Sequence, residues 1–233
     1  MAGGYRDVWQ DLLPAGSSPT GVVDETSDGV EGIYRAALPD GRLVTLPIRQ
    51  LPGTTDRGVA SLIINQASFE VLDAFASFMV ASAAAASADV IVGVPTLGLA
   101  LAPDVARRLG HSRYVPLGTS QKFWYDEALS VPLSSITTPG GGKFLFIDPR
   151  MVPLLEGRRV VVVDDVVSTG RSMSAVLRLL SKIGCAPVAI FVAMIQSDRW
   201  RGALAQIDAA WPEKVHGVIR TPLLTRDESG RWC

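Results

Sequence analysis

Apolar residues fall along this chain in two patterns. Val160-Val161-Val162-Val163 is an unbroken β-branched run, and Asp89 to Val92 and Pro187 to Met194 read the same way. Such runs predict strands buried on both faces, as in a parallel sheet. Between them the period changes. After Arg171, the positions Met173, Val176, Leu177, Leu179, Leu180 and Ile183 recur at helical spacing. Lys182 lies in the last turn and Gly184 stops the helix. Leu99 to Leu109 suits a buried helix closed by Gly110. Further helices are expected over 68–86 and 200–207, and further strands over 112–117 and 215–219. Alternating strands and helices predict an α/β chain with a Rossmann-like parallel sheet flanked by helices.

The first sixty residues are different. Ile33 to Leu38, the turn Pro39-Asp40-Gly41, and Arg42 to Leu46 read as a β-hairpin. Residues 1–19 are expected to wrap the surface, and the tail after Thr221 is polar. The natural division is a segment 1–67 and an α/β core over 68–233. The stretch Gly118 to Gly142 is rich in Ser, Thr, Gly and Pro, and a loop of that length is usually functional or disordered.

Composition narrows the partners. A chain of 233 residues with 48% hydrophobic content supports one substantial core. A net charge of -1 offers no basic field for nucleic acid or an anionic membrane. The most apolar window, Ala74 to Ala88, is too short and too rich in Ala and Ser to span a bilayer. Two cysteines, Cys185 and Cys233, imply no disulfide framework, and no apolar signal segment opens the chain. A cytoplasmic protein is expected. His111 and His216 lack partners at metal spacing and are assigned no chemistry.

The candidate chemistry lies at the end of the Val160–Val163 strand. Asp164 and Asp165 come first, then Val166, Val167, Ser168, Thr169 and Gly170, then Arg171 and Ser172 at the helix start. Open α/β sheets bind ligands at that edge. Gly170 permits close backbone approach, the first helix amides lack partners, and the helix dipole favours an anion. The hydroxyls of Ser168, Thr169 and Ser172 add donors. Two carboxylates would repel a phosphate placed directly on them. They suit the hydroxyls of a ribose 5-phosphate, directly or through a divalent cation with oxygen ligands. A helix cap would need only one carboxylate. The Walker B strand of a P-loop ATPase also ends in an acid, but the nearest phosphate loop, Gly140-Gly141-Gly142-Lys143, has Thr137 for its first Gly and Phe144 for its Ser or Thr.

The segment Val160 to Ser172 resembles the PRPP-binding signature of type I phosphoribosyltransferases. Arg171 departs from the small residue that many members carry there. A second site agrees with the resemblance. Gly93-Val94-Pro95-Thr96-Leu97-Gly98 follows a strand and precedes a helix, and can present amides to an anion. By that likeness Val94, Pro95, Thr96, Leu97 and Gly98 hold pyrophosphate, and Val166 to Ser172 hold the 5-phosphate. Asp164 and Asp165 hold the ribose and are the possible magnesium ligands. The 118–142 stretch corresponds to a lid, with Lys122 as its cation. The usual Arg-Lys pair after the third strand is replaced by Gly118-Thr119.

The resemblance further implies a small N-terminal hood containing the hairpin, Mg2+ as cofactor, and a homodimer. It implies transfer of ribose 5-phosphate from PRPP to a small nitrogenous base, a purine or pyrimidine, with release of pyrophosphate. A non-catalytic PRPP-sensing protein on the same fold is the alternative, and a PRPP synthetase-like kinase lacks an ATP-binding signal.

Overall fold

The computed structural model describes residues 8–17, 20–23, 32–85, 87–133 and 143–233. The chain opens on antiparallel strands: β1 (Leu12–Leu13), β2 (Gly21–Val23), β3 (Ile33–Ala37), β4 (Leu43–Gln50) and β5 (Arg57–Ala60). The expected hairpin is β3–β4. Leu38 N donates to Arg42 O at 2.8 Å, and Gly41 takes a positive φ of 85° in the turn. Strand β4 runs past Leu46 to Gln50, because its second half pairs with β5.

Helix α1 (Phe69–Ala85) then leads into the core. The core elements are β6 (Val90–Gly93), α2 (Ala102–Arg108), β7 (Val115–Pro116), β8 (Ser130–Leu133), β9 (Lys143–Phe146), β10 (Val160–Val167), α3 (Arg171–Lys182), β11 (Ala189–Gln196), α4 (Trp200–Ala205) and β12 (Val215–Thr221). The chain ends on β13 (Leu223–Thr225). Five strands form one parallel sheet in the order β12-β11-β10-β6-β7. Val161, Val163 and Phe191 pack towards α1 and α2; Val160, Val162 and Ile190 pack towards α3 and α4. This two-sided burial is what the valine run predicts. No helix among the described residues is long and apolar enough to cross a membrane.

Several boundaries differ from the sequence-based expectation. Leu97–Ala100 forms a separate 3-10 turn, and α2 starts only at Ala102, with Pro103 in its first turn. The core strand expected over 112–117 shrinks to Val115–Pro116, an edge position where a proline without an N–H is tolerated. Most important, β10 does not stop at Val163. It runs through both aspartates to Val167, with Asp164 opposite Val192, Val166 opposite Met194 and Val167 opposite Ile195. The fully buried strand β11 holds it extended on that side.

The polar tail is also not a free tail. Strand β13 pairs antiparallel with β5 and joins the N-terminal sheet, with Leu224 only 1% exposed. Trp232 covers Gly58 so closely that an added Cβ there would meet its ring at 2.7 Å. Arg226 lies 4.5 Å over the same ring. Leu224→Ala is therefore expected to cost about 2–4 kcal/mol of stability in denaturant unfolding. A loss under about 0.5 kcal/mol, the size of a surface substitution, would mean that the tail is not docked in solution.

Candidate active site

The core strands in chain order β6, β7, β10, β11, β12 lie in space as 2-1-3-4-5. This order places the topological switch between the first and third strands, β6 and β10, and ligands bind outside their carboxyl ends. The pairing register opens a cleft there. Strand β6 ends at Gly93, opposite Val163, while β10 continues for four more residues paired with β11. Past Val163, the β6 side of β10 is vacated.

The 93–98 loop folds back over this gap. Val94 N donates to Val163 O at 3.0 Å, and Leu117 N donates to Gly93 O at 3.0 Å. The Pro95–Thr96 peptide bond is cis. Gly98 sits directly on the acid pair: an added Cβ would meet Asp164 Cα and Oδ1 at 2.8 Å and Val163 O at 2.9 Å. Only a hydrogen fits at that position. Val94 and Gly98 are buried, Pro95 and Leu97 half-buried, and Thr96 is exposed with its hydroxyl open to a ligand. The first amides of the 97–100 turn have no partner within it. The two loops read separately from sequence thus touch at Asp164.

Asp164 is buried, and its Oδ1 accepts from Asp165 N at 2.9 Å. Burial pushes its carboxyl well above the usual range, and the neighbouring Asp165 charge pushes it further. Asp165 is half-buried and is also raised, by burial. A pair of buried like charges is costly unless a cation or donor meets it. Among the described residues no group of three or more His, Cys, Asp and Glu could hold a metal ion. The donor set is two carboxylates, which suits a hard cation that keeps water and substrate oxygens as its other ligands.

The turn expected to hold a phosphate is shorter than the sequence suggests. Val166 and Val167 are strand residues, so the irregular turn is Ser168–Gly170. Gly170 takes φ of 80° against Trp200 O, and its carbonyl accepts from Ser174 N at 2.8 Å. Thr169, Arg171 and Ser172 are exposed around the start of α3. Ser168 behaves differently from expectation. Gln196 Nε2 donates to Ala60 O at 2.9 Å, which points Oε1 at Ser168 Oγ, 2.7 Å away. The Ser168 hydroxyl hydrogen is committed to that oxygen, so it is not a free donor. Arg199 Nη2 donates to the same Ser168 Oγ at 3.0 Å, and its Nε to Ser197 Oγ at 3.1 Å.

No sequence motif points to Gln196 or Arg199. The signal available was position: both follow or end β11 at the sheet edge where ligands bind. Gln196 also ties the N-terminal sheet, through β5, to the phosphate loop.

The 118–142 stretch is not simply irregular. Gly118 bridges Phe146, and β8 pairs antiparallel with β9. Lys182 Nζ pins this arm to α3 through Ala128 O at 3.2 Å and Ser130 O at 2.7 Å. Residues 134–142, which include the Gly140–Gly142 run, lie outside the described residues. Lys122 is exposed on the arm, and among the described residues it makes no ion pair with Asp164 or Asp165. Phe123 and Trp124 meet edge-on at 4.7 Å, with Phe123 98% exposed. After β9, Asp148 pairs with Arg150 at 2.6 Å, which holds its carboxyl down at about 2, and Trp124 Nε1 on the arm donates to Asp148 Oδ2 at 3.5 Å. The histidines have structural contacts: His216 stacks on Phe191 at 5.1 Å, and His111 Nε2 lies 3.1 Å from Ala88 O.

A five-stranded parallel sheet with two glycine-containing loops meeting over a carboxylate pair at its switch point is the type I phosphoribosyltransferase fold. Comparison with known proteins agrees. Residues 58–211 match the family model described as "Phosphoribosyl transferase domain". An adenine phosphoribosyltransferase of Novosphingobium aromaticivorans is 31% identical over 72% of this chain and 92% of its own length. Another, from Mycolicibacterium paratuberculosis, is 28% identical over 78% of this chain and 95% of its own. The crystal structure of the Giardia lamblia adenine phosphoribosyltransferase complexed with 9-deazaadenine superposes with a TM-score of 0.59. It covers 75% of this chain and 93% of its own at 20% identity, a likeness of fold. The chain belongs to the phosphoribosyltransferase family and is a PRPP-dependent phosphoribosyltransferase.

Proposed function

We propose that this enzyme transfers ribose 5-phosphate from PRPP to a purine, with adenine the first candidate, and releases pyrophosphate. The observation that carries the reading is the contact of Gly98 with Asp164, which sets a pyrophosphate loop against a ribose-binding acid pair. The adenine preference rests on the names of the relatives at 31% and 28% identity.

In this reading Asp164 and Asp165 orient the ribose by its 2- and 3-hydroxyls. Loop 94–98 takes the pyrophosphate on backbone amides and the Thr96 hydroxyl. The turn Ser168–Gly170 and the first amides of α3 take the 5-phosphate. A ring nitrogen of the base forms a bond to C1 as the bond from C1 to the pyrophosphate oxygen breaks. The protein supplies orientation and charge stabilisation on the leaving group rather than a nucleophile. Lys122 enters when the arm closes. A magnesium ion held against Asp164 and Asp165 through substrate and water oxygens would supply a Lewis acid on the leaving pyrophosphate. The N-terminal sheet serves as the hood over the base.

A homodimer is part of the proposal. Trp9 (73% exposed) and Phe69 (86% exposed) flank the Ser68 N to Gln10 O hydrogen bond and offer an apolar contact surface. A cytoplasmic location fits the two free thiols.

Purified protein incubated with PRPP, magnesium and adenine, hypoxanthine, guanine or uracil is expected to release pyrophosphate, fastest with adenine. PRPP binding without release from any of these bases would overturn the reading.

A further inference from the structure

The 5-phosphate loop of this chain has an unusual electrostatic problem. Its anion would sit past the two carboxylates carried by β10, on a protein of net charge -1. The loop's own hydroxyl at Ser168 cannot answer it. Gln196 Nε2 donates to Ala60 O, so Gln196 Oε1 must accept, and only the Ser168 hydroxyl can donate to it. Arg199 can only donate, so Ser168 Oγ gives its hydrogen to Gln196 and receives one from Arg199.

The guanidinium is thereby fixed at the mouth of the loop. It carries five N–H groups in a rigid fork. One Nη2 hydrogen goes to Ser168 and the Nε hydrogen to Ser197. Among the described residues Nη1 has no hydrogen-bond partner. Its two hydrogens and the second hydrogen of Nη2 project from a group already within hydrogen-bond reach of the phosphate turn. Arg199 is exposed, so these donors are open to a ligand.

We infer that Arg199, outside the loop motif and on the segment after β11, is a binding residue for the 5-phosphate of the substrate. Ser168 and Gln196 are positioning residues that aim it. The inference rests on the phosphate reading of the Ser168–Ser172 turn. Arg171, the other cation near the turn, lies at the first position of α3 and has no comparable tether among the described residues. A tethered fork loses less side-chain freedom on binding than a free arginine does.

The test measures binding of ribose 5-phosphate and, separately, of inorganic pyrophosphate to the full chain. Arg199→Ala is expected to weaken ribose 5-phosphate about tenfold or more, the scale of a lost charge-assisted hydrogen bond. Pyrophosphate affinity should stay within about twofold, and the KM for PRPP should rise more than kcat falls. Arg199→Lys restores the charge but not the fork, so a partial recovery is expected. Arg178→Ala removes an equal charge from the exposed face of α3 and should change nothing. Unchanged ribose 5-phosphate affinity in Arg199→Ala would overturn the role of Arg199 alone. Failure of the wild-type chain to bind ribose 5-phosphate would overturn the phosphate reading itself, and this inference with it.

Discussion

Replacing Asp164 and Asp165 together by Asn should cut kcat/KM for PRPP by roughly a hundred- to ten-thousand-fold while leaving the fold more stable at neutral pH. In the proposed binding mode the activity loss comes from two charge-assisted hydrogen bonds to the ribose, each about 1.5–3 kcal/mol. The stability gain comes from the site's electrostatics. Both carboxyls are held above their usual range, Asp164 by burial and then by the Asp165 charge, Asp165 by burial. The folded chain therefore keeps protons that the unfolded chain gives up. That stabilising contribution is complete below the unfolded carboxylate range, about pH 4, and is lost as pH rises through the raised folded values.

At neutral pH the pair is a burden on the fold, and amides of nearly the same shape remove it. Asn at 164 still offers Oδ1 to the Asp165 amide. The variant should melt about 2–4 °C higher for each kcal/mol recovered. The gap should narrow as pH falls through the raised folded values and the wild-type carboxyls take up protons. Retention of more than a tenth of the activity would remove the pair from the ribose site. A lower melting temperature at neutral pH would show that the burial cost is met by something other than ligand.

Gly98→Ala is the second large effect. The added methyl would lie 2.8 Å from Asp164 Cα and 2.9 Å from Val163 O, both backbone atoms of a strand buried in the sheet. Neither can rotate away. The loop must lift, at a cost of about 1–3 kcal/mol in stability. Displacing the 93–98 loop by about 1 Å from the acid pair should cost about a hundredfold in turnover on the proposed mechanism. Gly110→Ala is the control for lost stability without a clash. Gly110 has a positive φ of 81°, and nothing lies within 4 Å of its added Cβ. It should lose stability through backbone strain and keep its rate. If Gly98→Ala kept the rate as well, the contact between the loops would have no part in catalysis.

Much of this was legible in the residues. Four consecutive valines mark a strand buried on both faces, and the apolar period after Arg171 marks the helix behind it. The Asp164-Asp165 pair stands out because adjacent carboxylates at a strand end have no structural use. Those features depend on local period and local chemistry, which neighbouring residues carry directly. Boundaries were less legible. β10 reads as ending at Val163 because aspartates disfavour strands, yet pairing with the buried β11 overrides that preference.

The elements, the acid pair and the two glycine-bounded loops could be read from the chain alone, because each is written in consecutive residues. What meets what was decided only in three dimensions. The fold brought Gly98 onto Asp164 across more than sixty residues, laid the polar tail on β5, and committed the Ser168 hydroxyl to Gln196. It also delivered Arg199 to that turn. Those placements depend on strand order and register, set by the packing of the whole sheet, and no local pattern encodes them.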